Sequence, residues 1–174
     1  MNYYENIILK KLLNGVYNAS ARKKIIAHLR PEFIREAKQL IKEAKAKIGL
    51  GDTSGIKYRK IRGKEAREFE RITGLQAKGK TRKITKTDVR HLLKHGMASK
   101  ENPRGQASVI ERDFLLIPHI TKHYDNLTLE PEKSENKPVV KYVKTLDKKK
   151  YYYYETVGGK HKKDFRPKTM FKKK

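Results

Sequence analysis

The 174-residue chain contains no cysteine and no tryptophan. Without cysteine it has no disulfides, thiolate zinc sites, cysteine nucleophiles or iron–sulfur clusters. Long apolar runs are also missing; none approaches the ~18–20 residues of a membrane-spanning helix. The N-terminal stretch MNYYENIILKKLLNG has no basic segment followed by an apolar one. No secretory signal is therefore expected, and the protein is expected to be soluble where it is made. Apolar residues make up only 36% of the chain, so the core is expected to be small. Phosphate-binding GxxxxGK[ST] and GxGxxG patterns are absent, as is the GxSxG elbow, which argues against nucleotide hydrolases and α/β-hydrolases.

Acidic residues are the other scarcity. Asp and Glu number 19 against 44 Lys and Arg, giving a formal net charge of +25. Every third of the chain is net positive. That balance points to a polyanionic partner, nucleic acid or an anionic surface. Ten Tyr and five Phe argue against a disordered chain. Length predicts one domain with a basic helical N-terminal extension, divided here as residues 1–55 and 56–174.

Periodicity places helices first. Residues 3–13 and 20–30 have helical character, with Ser20 as a candidate N-cap. Pro31 suits the first position of a third helix. In it Phe33, Ile34, Ala37, Leu40, Ile41, Ala44 and Ile48 form a stripe of period 3.6. Gly51 to Gly55 reads as a linker. A short helix is expected over 64–73, stopped by Gly74. Another begins near Thr87-Asp88, with Thr87 as N-cap and Val89, Leu92 and Leu93 buried. Glu111 to Ile117 reads as a further short helix limited, or kinked, by Pro118.

Strands follow. Val139–Thr145 and Tyr151–Val157 are β-rich around a turn at Asp147-Lys148-Lys149. A last strand is expected over 164–171, with Pro167 suggesting an edge. The fold class is α+β, N-terminal helices packed on a small C-terminal antiparallel sheet.

Histidines carry the candidate chemistry. His91 and His95 share one face of the helix DVRHLLKHG, with Asp88 on the same side. Paired imidazoles near a carboxylate suit proton transfer near neutral pH. The same spacing also occurs on a plain helix edge with no chemistry. His119 and His123 form a second pair. The two pairs together would offer zinc ligands, but the sequence lacks an HExxH arrangement and nothing in it joins the pairs. No metal site is assigned, and His28 and His161 read as surface residues.

On the expected sheet, alternation puts Tyr151 and Tyr153 on one face and Tyr152 and Tyr154 on the other. Lys141, Arg166, Lys168 and Thr169 lie on neighbouring strands. One face packs on the helices. The other, with Tyr, Lys and Thr, suits single-stranded RNA, with rings stacking on bases and ammonium groups on phosphates.

The succession AREFERITGL, KITKTDVRHLLKHG, NPRGQASVIERDFLLIPHI and FRPKTMFKKK resembles the phage-associated nuclease group with the barnase–EndoU–colicin–RelE-like fold. The resemblance covers about residues 60–174. It implies metal-independent RNA cleavage without a cofactor, by attack of the 2′-hydroxyl on the adjacent phosphate. His91 would then be acid or base, with His95 its partner or a phosphate ligand. Lys141 and Lys168 would stabilise charge. Arg90, Gln106, Tyr154 and Thr169 would bind substrate. It further implies a toxin-like protein of the virion or the bacterial host cytoplasm. Residues 1–55 would be left to dock a capsid or portal protein or an inhibitor. The stretch Glu130–Glu135 departs from the pattern by its acidity, which would alter substrate access. The competing reading is a non-catalytic basic nucleic-acid-binding protein, such as virion cargo or a nucleoid or ribosome-associated protein.

Overall fold

The computed structural model describes residues 19–20, 25, 31–46, 55–95, 105–107, 109–131, 138–158 and 164–173. The expected helix over 3–13 and most of that over 20–30 lie outside them.

Helix α1 spans Pro31–Lys45. Its stripe buries Phe33, Ile34, Ala37, Leu40, Ile41 and Ala44, each large side chain contributing about 1.5–3 kcal/mol by leaving water. Those residues join the same core as Ile56, Ile84 and Val89. Strand β1 (Gly55–Lys60) follows. Gly55 therefore begins a strand rather than ending a linker. A Cβ there would stand 2.3 Å from the Ile84 carbonyl oxygen, so only glycine permits the close pairing.

Helix α2 spans Gly63–Thr73 and buries Ala66, Phe69 and Thr73. It ends at Gly74, in the left-handed region at φ 67°, whose N–H bonds the Glu70 carbonyl. Strand β2 (Thr81–Thr85) leads directly into α3 (Lys86–His95). The N-cap of α3 is Thr85, not Thr87. The Thr85 hydroxyl accepts from the Asp88 N–H at 3.3 Å, and the Asp88 carboxylate accepts the Thr85 N–H at 2.8 Å. That reciprocal pair is a capping box built with Asp. The sequence reading places the cap at Thr87; the helix starts two residues earlier because β2 runs directly into it at Thr85.

The expected helix at 111–117 divides into α4 (Glu111–Phe114) and α5 (Ile117–Lys122), with Pro118 in the first turn of α5. Strands β3 (Asn126–Pro131), β4 (Pro138–Leu146), β5 (Lys149–Gly158) and β6 (Asp164–Lys173) complete the chain. The β4–β5 turn holds Asp147 and Lys148 at φ 48° and 63°, the paired left-handed geometry of a tight hairpin.

The sheet has six strands in the order β1-β2-β6-β5-β4-β3. It is mixed rather than wholly antiparallel, because β2 pairs parallel with β6 through Thr81↔Asp164 and Arg82↔Phe165. β6 is therefore an inner strand. Pro167 sits where pairing with β2 has ended and the β5–β6 register shifts, so its missing N–H is tolerated. Strands β1, β2 and β3 lie outside the expected C-terminal set. β1 and β2 are rich in Lys and Arg, which masked the alternation of Ile56, Tyr58, Arg82 and Ile84.

Candidate nucleic-acid interface

One face of the sheet is packed against helices. Phe165 meets Phe69 of α2 at 5.1 Å between ring centroids, and Tyr151 donates to Asp113 of α4. Charges are buried there as well. Arg82 is 1% exposed and donates to Glu155 (3.2 Å), Glu65 (2.6 Å) and the Tyr142 hydroxyl (2.9 Å). Burial works against its charge, but Tyr142, Glu155, Tyr58 and Glu65 outweigh it and hold the guanidinium firmly protonated. Burial also drives the Tyr142 and Tyr153 phenols well above their usual range. Lys172, buried, pairs with Asp113 at 2.7 Å.

The opposite face is organised by strand register. Directly paired residues point the same way, so Thr128, Lys141, Tyr154 and Thr169 form one row across β3, β4, β5 and β6. Adjacent rows are Asn126, Val143, Tyr152 and Phe171, then Thr145, Lys150 and Lys173. Along β5 the alternation expected from sequence holds: Tyr151 and Tyr153 are buried, while Tyr152 and Tyr154 are partly exposed. Lys141, Tyr154 and Thr169 are thereby brought together, with Lys141 and Thr169 about 10 Å apart as two strand spacings.

Lys168 joins them through a bulge. Tyr154 pairs with Thr169 but Glu155 pairs with Pro167, leaving Lys168 as the extra residue. Pro167 and Met170 are buried, whereas Lys168 and Thr169 are both partly exposed. The bulge thus presents two consecutive side chains on the outer face.

The electrostatics favour phosphate. Lys141 donates to Glu130 at 2.7 Å, which raises the ammonium's pKa. Burial raises the Tyr154 phenol despite the opposing Lys141 charge. At neutral pH the row therefore offers an ammonium, a protonated phenol and a hydroxyl, all donors.

The helix residues sit elsewhere. Asp88 is held by Thr85 and by Arg166 of β6, whose guanidinium reaches its carboxylate at 2.8 and 3.2 Å. His91, one turn further, is exposed on α3, which packs beside β6. His91 and Arg90 line a recess with Ala44, Lys45, Lys94 and Ile110 rather than the Lys141 row. The side chain of His95 lies outside the described residues. Gln106 is half-buried next to Ala107, whose N–H bonds the Lys172 carbonyl at 2.7 Å. His119 and His123 lie 5.0 Å apart between ring centroids with their planes tilted by 38°, and His119 is buried. Among the described residues no group of three metal-ligating side chains forms, and no helix is long and apolar enough to cross a membrane.

Two residues on the outer face escaped the sequence reading, Thr128 and Phe171, and so did two contacts, Glu130 with Lys141 and Arg166 with Asp88. Each is defined by pairing between distant segments. Only Phe171 left a local signal, one alternation step from Thr169.

A basic α+β protein with a polar, cationic sheet face opposite its helices belongs to the nucleic-acid-handling class. Residues 59–174 match the family described as phage-Barnase-EndoU-ColicinE5/D-RelE like nuclease3. The chain belongs to that nuclease family, and its substrate is nucleic acid. The curated proteins and solved structures compared with it give no match.

Proposed function

We propose that the protein is a metal-independent endoribonuclease whose cleavage centre lies on the outer sheet face. The observation that carries this reading is the row Lys141–Tyr154–Thr169 with Lys168 beside it, in a member of a nuclease family. In the proposed step the 2′-hydroxyl oxygen attacks the adjacent phosphorus and the bond to the 5′ oxygen breaks. A base takes the 2′-hydroxyl proton and an acid returns one to the leaving oxygen. The products are a 2′,3′-cyclic phosphate and a 5′-hydroxyl. Lys141 and Lys168 stabilise the charge that builds on the phosphorane. Tyr154 and Thr169 hold the substrate. His91 of α3, whose recess lies apart from the row, is assigned as acid or base, with His95 as its partner or a phosphate ligand.

Incubating the protein with RNA in EDTA and mapping the ends tests this. Cyclic-phosphate ends from the wild type, and their loss in His91→Ala and Lys141→Ala, are expected. Absence of cleavage in the wild type overturns the reading. It would leave the second reading, a basic binding protein, which the separation of His91 from the Lys141 row favours.

A further inference from the structure

The row next to the proposed centre carries a feature that phosphate chemistry does not use. Tyr152 and Phe171 are direct cross-strand neighbours on the outer face, stacked at 4.8 Å with their rings 17° apart. Tyr154 extends the group, 6.0 Å from Phe171. None of the three rings is fully buried.

Lys150 and Lys173 lie beyond them. They are directly opposite each other in the β5–β6 register, and both are exposed. Like charges directly opposed across strands are destabilising. Each ammonium also stands about 6 Å from the Tyr152 ring, at 6.0 and 5.8 Å. The fold gains little from two opposed lysines at this point, whereas a polyanion laid across them is attracted by both.

We infer that Tyr154, Phe171 and Tyr152, ending at Lys150 and Lys173, form a track for single-stranded nucleic acid leading away from the cleaved bond. The inference rests on the reading above only for where the track begins. Tyr154 and Tyr152 are two residues apart, about 7 Å along the strand, a step that one extended nucleotide spans. Unstacked bases lie on the rings and phosphates run past the lysines. A duplex keeps its bases inside and has nothing to offer the rings, so the track selects unpaired strands.

The test uses the full chain and a fluorescent 2′-O-methyl oligouridine, which cannot supply the attacking hydroxyl. A 2′-O-methyl hairpin duplex of equal charge is the comparison, read by anisotropy at fixed salt. The single strand is expected to bind more tightly than the duplex. Tyr152→Ala should weaken single-strand binding about tenfold, the scale of one lost base–ring stack, and duplex binding little. Tyr152→Phe should retain the affinity. Lys150→Glu with Lys173→Glu, a surface change, should weaken the single strand without lowering the melting temperature. Lys57→Ala, on distant β1, should leave the preference for single strands intact. Equal binding of strand and duplex, or wild-type affinity in both Tyr152→Ala and the lysine pair variant, overturns the track. Because the probe is uncleavable, a protein that binds it through Tyr152 yet cuts no RNA keeps the track and loses the nuclease reading. One that cuts RNA with no role for these residues does the reverse.

Discussion

The two faces of the same sheet use similar residues for opposite ends. On the helix side Arg82, Glu155 and Tyr142 are buried and bonded to one another, as are Lys172 and Asp113. On the outer side Lys141, Tyr154, Thr169 and Lys168 stand one residue away on the same strands, partly exposed and rich in donors. A charge sealed inside must be matched where it lies, because removing one partner leaves the other uncompensated in low dielectric. A charge facing water can be left for a ligand. The comparison teaches that alternation along β4, β5 and β6 sorts cations matched inside the fold from cations presented to solvent.

The largest expected effect tests the inner face. Arg82→Met leaves Glu155 without its cation and should cost about 3–5 kcal/mol of stability in urea unfolding. Lys141→Met, three strands from Arg82 and partly exposed, should cost less than about 1 kcal/mol. Equal losses would erase the distinction between the faces. A smaller effect is expected at the helix start. Thr85→Ala removes the α3 cap and should cost about 1 kcal/mol, while Thr87→Ala should cost nearly nothing. The reverse result would return the cap to Thr87.

The outer face can be sharpened by relieving it. Glu130 holds Lys141 at 2.7 Å, so Glu130→Gln should tighten nucleic-acid binding several-fold at fixed salt and steepen its salt dependence. Unchanged affinity would mean that Lys141 does not meet phosphate. The smallest effect concerns pH. Glu70 accepts the N–H groups of Ala77 and Lys78, which hold its carboxyl below the usual glutamate range. A lowered folded pKa stabilises above the unfolded value, and that contribution is lost as pH falls through the folded one. Glu70→Gln should therefore lower stability slightly at neutral pH, where the wild type has this contribution, and converge with the wild type at acid pH, which flattens the acid side of its profile. A loss at acid pH as large as the one at neutral pH would contradict this.

Much of this was legible in sequence where the signal is local. The stripe of α1, the Gly74 stop, the β4–β5 hairpin and the Tyr152/Tyr154 face all follow from periodicity and turn chemistry. Pairing between distant segments was not legible. Nothing local announces that β2 lies parallel to β6, that Arg82 is sealed against Glu155, or that a bulge turns Lys168 outward beside Thr169. Pro167 suggested an edge, whereas β6 lies inside the sheet and the proline sits beside a bulge. The candidate site divides in the same way. Tyr154 was nominated by alternation, Lys141 and Thr169 by the resemblance and their place on neighbouring strands, and long-range register is what aligned the three. His91 was nominated by helix spacing, and α3 sets it beside β6, lining a recess of its own.

The central claim is that the outer sheet face acts on nucleic acid while the inner face holds the fold. Its most direct test is the kcat/KM of Lys141→Ala on single-stranded RNA, measured with its melting temperature against Lys57→Ala. The account predicts a loss of about 10²–10³-fold for Lys141→Ala, the scale of removing one charge-stabilising donor, with a melting temperature close to wild type. Activity matching that of Lys57→Ala would contradict it.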